Sequence, residues 1–470
     1  MKDDCDHVIE IHEMLKGAEE LVTDECCIYK VPHHICRFNK DAYTPKVVSI
    51  GPYHHNTLPR LHNMQRHKLS YCKAFLQRTE TNADTWIHYI EEMEPRIRRC
   101  YSDPLQCSKG QLIKIIFVDS GFILELFYRA KAGSRDDIPW LEQDMLLLEN
   151  QVPFFVLDSL YNMSLTSTSD NGDDKFIRLT LKYFGRYNSS KLSFDDKINI
   201  NHFTDLLRNF HLPSPKSDVD EPKKQHPCAL ELLACLETCL KGARRKFCTF
   251  QCINLGWVKL GLDWIKPGLR RIKHTLCCQR NERRESDRQL PSATELSEAG
   301  VRFKVNNSKN ISLVDLKFKK PVLTIPKLVV DDTTEMLLRN MVAWEQCHYR
   351  VNQFRITSYV QIMDFLVNTS SDVDFLVRKG VLNNYLGDSA SVTNMFNGLG
   401  KNIMSATTGY RLLYRDLNAF HRNRWNNLKS TLKHDYCKTP WQTAATFAAI
   451  LLLLLTLGQT VCSVWQVFQV

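Results

Sequence analysis

No apolar, uncharged stretch opens this sequence. Residues 1–21, MKDDCDHVIEIHEMLKGAEEL, carry acids throughout and pattern as an amphipathic helix. A cleaved secretory signal is therefore not expected, because such a signal needs an uninterrupted apolar centre. No C-x-x-C pair and no H-x-x-x-H spacing occurs, which removes the standard finger and zincin ligand sets. No internal repeat of fixed period stands out, so a solenoid or propeller is not indicated. Charge of either sign is absent from Thr439 to Val470.

What is present is the composition of an ordinary folded chain: 470 residues, 43% hydrophobic and 24% charged. The 17 cysteines run from Cys5 to Cys462, which suits a reduced, cytosol-facing body better than a disulfide scaffold. The net charge of +10 is uneven. Between Lys241 and Arg288 thirteen basic residues face four acidic ones, a local +9, and the remainder is close to neutral. One basic patch, not a general nucleic-acid surface, is the reading.

The uncharged carboxyl end reads as a transmembrane helix. Thr443 to Trp465, TAATFAAILLLLLTLGQTVCSVW, would span roughly 34 Å as a helix, enough for a hydrocarbon core of about 30 Å. Phe447, Ile450, Leu451, Leu452, Leu453, Leu454, Leu455 and Leu457 supply the apolar core, with Trp441 and Trp465 at interfacial positions. Basic residues from Arg411 to Lys438 put the amino-terminal body in the cytosol, a tail-anchored, single-pass arrangement. The sequons at Asn162, Asn188, Asn306, Asn310 and Asn368 are short enough to arise by chance.

The body reads as predominantly helical. GQLIKIIFVDSGFILELFYRA is apolar nearly all round, yet Lys114, Asp119 and Glu125 make it a buried helix instead of a span. DMLLLENQVPFFVLDSL repeats the theme, with Pro153 breaking or restarting the helix. SATE at Ser292 to Glu295 has the form of a capping box, and Gly300 is placed to end that helix. VRFKV, ISLVDLKFKK and PVLTIPKLVV read as extended, giving a small sheet of two or three strands. DTTE opens another helix, on which Leu337, Met341 and Trp344 recur at helical spacing. The expected fold is mainly α: a large helical body, a small two- or three-stranded β element and one C-terminal transmembrane helix. Its segments are 1–24, an amphipathic lead; 25–212, a first helical half; 213–290, a basic cysteine-rich insertion; 291–438, a second half; and 439–470, the anchor.

Each candidate for chemistry has a plainer competitor. The pairs His33-His34 and His54-His55, with Cys36, could be metal ligands, but adjacent histidines rarely aim at one ion from a regular element. Polar residues shaping a turn are the favoured reading, the second pair docking the amino-terminal segment on the body. His12-Glu13 lacks a second histidine, because Lys16 stands there. VVSIG would need glycine at Val47 to be a nucleophile elbow, and GLGK at Gly398 to Lys401 lacks the spacing of a phosphate loop. The DSG at Asp119 to Gly121 has no recognisable base. Asp144 and Glu149, with Asn150 and Gln151, read as paired carboxylates or, more commonly, as polar ties between helices.

The cysteine-rich segment differs in kind. Ile253, Trp257, Leu260 and Trp264 share a helical face, ringed by Lys246, Lys259, Lys266, Arg270, Arg271 and Lys273. An interfacial helix on anionic lipid is one reading, with Cys277 and Cys278 as candidate palmitoylation sites. A helix packed on the body with a solvated basic side is the other. No residue is assigned as catalytic, cofactor-binding or metal-ligating.

VSIGPYHH, VDSGFILELF, LLLENQVPFFVL, SATELSEAGVRF, VDDTTEMLLRNMVAWEQ and the carboxyl-terminal apolar run occur here in one order. Together they closely resemble the plant-specific family filed as domain of unknown function 247, also called uncharacterised protein family 0481, over about residues 25 to 465. The resemblance implies a single-pass membrane protein with a mostly helical body and no established enzymatic activity. Some members are implicated in plant reproduction, including grass self-incompatibility. The expected role is a membrane-tethered interaction or recognition protein, its partners the lipid bilayer and an unidentified protein, with no nucleic acid and no cofactor. The alternatives are a membrane-bound hydrolase or transferase with an unfamiliar site, and a lipid-surface sensor acting through residues 241–288.

Overall fold

Helices dominate because long apolar-striped runs are closed at their starts by side chains that accept backbone N–H groups. The computed structural model describes residues 25–134, 138–165, 175–193, 198–213, 289–306, 311–404, 408–423, 445, 448–453 and 455–460. The longer helices of the first half are α1 His62–Arg78, α2 Ala83–Arg99, α3 Lys109–Lys131, α4 Phe154–Leu165, α5 Phe176–Tyr183 and α6 Phe203–Phe210. Asn82 caps α2, and Ser108 with Gln111 forms a reciprocal capping box on α3. Pro153 immediately precedes α4, so the proline restarts the helix after the LLLENQ segment.

Helix α3 is the axis of this half. Ile116, Phe122, Ile123, Leu126 and Phe127 are buried on it, and α1 packs along its length. The two helices approach so closely at Gly121 that a Cβ there would collide with the Cys72 side chain. Phe127 stacks on Tyr183 at 4.3 Å between ring centroids, tying α5 to the same core.

The second half contains α7 Ala293–Glu298, α8 Thr334–His348, α9 Arg355–Leu366, α10 Ser370–Arg378, α11 Ser389–Leu399 and α12 Arg411–His421. Ser292 and Glu295 form the expected capping box at the start of α7, and Gly300 follows that helix's end. Met341 and Trp344 are buried on α8, whereas Leu337 is partly exposed.

The strands are β1 Arg302–Asn306, β2 Lys317–Lys319, β3 Val322–Pro326, β4 Leu328–Val330 and β5 Leu382–Asn384. Three form a sheet in the order β1-β3-β2, with β1 parallel and β2 antiparallel to β3. Phe303 opposes Leu323 in that register, and both point into the core. β4 and β5 form a separate parallel pair, joined through α8, α9 and α10 as a parallel connection requires. Among the described residues, the β element thus has five strands in two sheets, against the two or three expected. β5 was overlooked because LNN carries no alternating pattern. The described residues on the two sides of 214–288 pack into one unit.

The expected C-terminal transmembrane helix is corrected here. Among the described residues, no helix is long and apolar enough to cross a membrane. Residues 448–453 and 455–460 are helical, and Ile450, Leu451, Leu452, Leu453, Leu455 and Leu457 are exposed. Trp441, Phe447, Leu454 and Trp465 lie outside the described residues. The single-pass placement and its cytosolic orientation, which rested on that helix, are withdrawn with it.

Candidate functional site

The VVSIGPYHH segment is a backbone ribbon held by side chains from two other motifs. The Asp144 carboxylate accepts the N–H groups of Lys46, Val47 and Val48, the last two at 2.6 and 2.9 Å. Asn150 accepts from Ile50 N–H at 2.7 Å and donates to the carbonyls of Val48 and Asp144. Asp119 of α3 accepts Gly51 N–H at 2.9 Å. Lys68 of α1 donates to the Ser49 carbonyl at 2.8 Å and forms an ion pair with Asp119. A buried stretch of irregular backbone must satisfy its polar groups somewhere, and these side chains do so.

Gly51 completes the bend. Its φ is +70°, and a Cβ there would collide with the carbonyl oxygen of Gln151. Gln151 itself bridges the LLLENQ segment to α6: its amide donates to Met145 and Leu147 at 2.7 Å and accepts from Phe203 N–H at 2.9 Å. Beyond the bend, His54 Nε2 lies 3.3 Å from Glu149 Oε2, while Glu149 Oε1 accepts Val31 N–H at 2.8 Å. His54 thus faces the carboxylate that also docks the amino-terminal segment.

On the other side of the bend lies a cavity of about 670 Å³ between α1 and α3, with Tyr53, His55, Gln65, Leu69, Lys114 and Asp119 among its walls. Asp119 is 1% exposed; burial pushes its carboxyl up, and the Lys68 ammonium works against that rise. Burial holds the His55 ring below the usual imidazole range, with Asp119 opposing and Lys68 and His62 adding to the fall. Burial thus favours the neutral ring, and its buried Nδ1 has no hydrogen-bond partner among the described residues. Cys107 lines the same space.

Other buried carboxylates work as caps and ties. Glu345 of α8 accepts the first N–H groups of α9, from Arg355, Ile356 and Thr357, and pairs with Arg208 of α6 at 2.8 Å. Asp205 accepts from Asn201 N–H, the Trp344 indole and the Tyr349 hydroxyl; its carboxyl is raised by burial. Asp372 accepts from Thr294 and Thr369, tying the SATE turn to α10.

Of the residues singled out in sequence, Asp119, Asp144 and Glu149 all contact the 31–54 segment, the last also meeting His54 within it, and Asp119 and His55 line the cavity. Asp144 accepts three backbone N–H groups and Glu149 accepts that of Val31, so both serve as polar ties between segments. His33 and His34 are exposed on the one-turn helix His33–Cys36. Among the described residues, no group of three or more His, Cys, Asp or Glu side chains could hold a metal ion. Trp257, Trp264, Arg270, Arg271, Lys273, Cys277 and Cys278 lie outside the described residues.

Lys68 escaped the sequence reading, though a signal existed. It falls between Met64, Tyr71, Cys72 and Phe75 on the buried face of α1, where a lysine needs a partner. The Glu345–Arg208 pair had no such local sign.

A family described as plant protein of unknown function, DUF247, matches residues 28–455. A UPF0481 protein of Arabidopsis thaliana is 28% identical over 463 residues, covering 94% of this chain and 87% of its own. A putative UPF0481 protein of the same plant is 26% identical over 484 residues, covering 94% and 90%. No solved structure matches.

Proposed function

The chain belongs to the DUF247 family of plant proteins of unknown function, and from that premise we propose that it is a non-catalytic recognition protein. Its helical body holds the cavity between α1 and α3 as the place where a partner is received. One observation carries this reading: the buried acids nearest the cavity are already engaged. Asp119 gives one oxygen to Lys68 and the other to Gly51 N–H, and Asp144 takes three backbone N–H groups. A general acid or base must be free to exchange its proton with substrate, whereas a carboxylate that is the counter-ion of a buried lysine is tied to its place in the fold. A rigid wall, in contrast, needs its polar groups satisfied, and preorganisation favours binding.

The test is a photoreactive residue introduced at Gln65, on the cavity wall, in the full chain in plant cells. Tyr385, exposed and not among the lining residues, serves as the control position. Recurrent adducts at position 65 that are absent at 385 are expected. Equal labelling at both positions would remove the cavity from the recognition surface.

A second reading, a hydrolase or transferase acting through a thiol, draws on one observation: Cys107, His55 and Asp119 line the same cavity. A nucleophilic thiol must be largely ionised. Alkylation of Cys107 by iodoacetamide at pH 7 at the rate of a free surface thiol, or slower, would leave the recognition reading in place. Much faster labelling would favour catalysis.

A further inference from the structure

We infer that the cavity between α1 and α3 binds a small organic acid, with the carboxylate against Lys114 and His55 and the apolar body along Leu69, Ile115 and Val118. The inference rests on the recognition reading and names the chemical class of what is recognised.

Two helices supply the walls in register. Gln111, Lys114, Ile115 and Val118 follow one another at helical spacing along α3, and Gln65 and Leu69 do so on α1. Each wall therefore alternates polar and apolar groups, the lining expected of a site that takes an amphipathic molecule. The cavity volume of about 670 Å³ suits a ligand of modest size, since small-molecule sites are typically about 300–1,000 Å³. Leu69 is 56% exposed, an apolar side chain left at the mouth with nothing covering it.

Charge selects the head group. Among the described residues, the only acid in the lining is Asp119, and its charge is balanced by Lys68 at hydrogen-bonding contact. Lys30 is shared with Asp103 at 3.5 Å. Lys114 is exposed on α3, and no ion-pair partner accompanies it among the described residues. A cation with no counter-charge beside an apolar wall favours an anion over a neutral or cationic ligand. His55 adds direction, because its ring lines the same cavity and can carry an N–H toward a carboxylate oxygen, and its buried Nδ1 has no partner among the described residues. A ligand carboxylate would satisfy it.

Isothermal titration calorimetry on the full chain tests this with 4-phenylbutyrate, 4-phenylbutanamide and 4-phenylbutylamine, which share a body and differ in the head group. The acid is expected to bind, the amide about tenfold more weakly, and the amine not measurably. Lys114→Gln, a change on the exposed side of α3, should weaken the acid about tenfold and leave the amide unchanged. Leu69→Glu should weaken both, the acid more. Equal binding of acid and amide, or a Lys114→Gln chain that binds the acid as the parent does, overturns the anion assignment. Absence of acid binding while crosslinks at position 65 persist overturns the ligand class alone. Absence of both overturns the recognition reading with it.

Discussion

His202 shows what burial does to a single ionisable residue. Its ring caps α6 by accepting Asp205 N–H on Nδ1 and sits edge-on to Trp344 at 4.4 Å. Burial, with His348 nearby, pushes it down to about 3. The unfolded chain takes up a proton near pH 6.5 and the folded chain does not. Stability contributed by this group is therefore complete above about pH 6.5 and lost as pH falls toward 3, at about 1.4 kcal/mol per pH unit. Urea midpoints of the parent and His202→Asn, measured from pH 7 to pH 4, should converge on acidification. Parallel curves would remove His202 as a source of acid sensitivity.

Gly51 is the other residue on which the site depends. Gly51→Ala forces a side chain into a left-handed conformation and against the Gln151 carbonyl. A loss of about 2 kcal/mol or more is expected, read as a lower denaturation midpoint. A substitution at Gly133, also at positive φ but with open space around it, should cost less.

At the scale of elements, α9 begins without a cap of its own. Phe354 makes no side-chain cap hydrogen bond, and Glu345 from the preceding helix supplies the acceptor. Glu345→Gln removes the charge that neutralises Arg208, whose guanidinium is buried beside it. The expected cost is about 3–5 kcal/mol, the usual result of orphaning one partner of a buried pair. Replacing the charge pair while keeping an amide oxygen for those N–H groups, as Glu345→Gln with Arg208→Met, should recover most of that loss. If the double change is as unstable as the single one, backbone capping, not charge pairing, is the dominant role.

At the scale of the whole molecule, the two halves are joined by buried polar ties as well as by the core. Asn340 of α8 accepts Leu148 N–H at 2.9 Å and donates to the Ala42 carbonyl at 2.8 Å. Asn39 donates to Glu335 at 3.0 Å across the same boundary. Unfolding of the described body should be one cooperative transition, with near-ultraviolet and far-ultraviolet circular dichroism coinciding. Asn340→Ala should lower stability by about 1–3 kcal/mol by stranding a buried N–H. Hydrogen exchange should then accelerate in both halves together. Faster exchange confined to α8 would show that the halves open independently.

Much of the local structure was legible in residues alone. Ser292 with Glu295 announced its helix, Pro153 announced a restart, and the apolar run with Lys114, Asp119 and Glu125 read correctly as a buried helix. The ordered motifs identified the family. These are signals carried within about four residues, the range over which caps and helical faces operate. Which side chain answers each buried acid was decided elsewhere. Asp119 meets Lys68, Asp144 meets the 46–48 backbone, and Glu345 meets Arg208, each across a separation that no window of sequence spans. The uncharged terminal run shows the same limit from the other side: hydropathy alone proposed a spanning helix, and no described helix is both long and apolar enough to be one. Local chemistry chooses elements, but only the packing of distant elements chooses partners, because a buried charge is tolerated solely where a complementary group arrives.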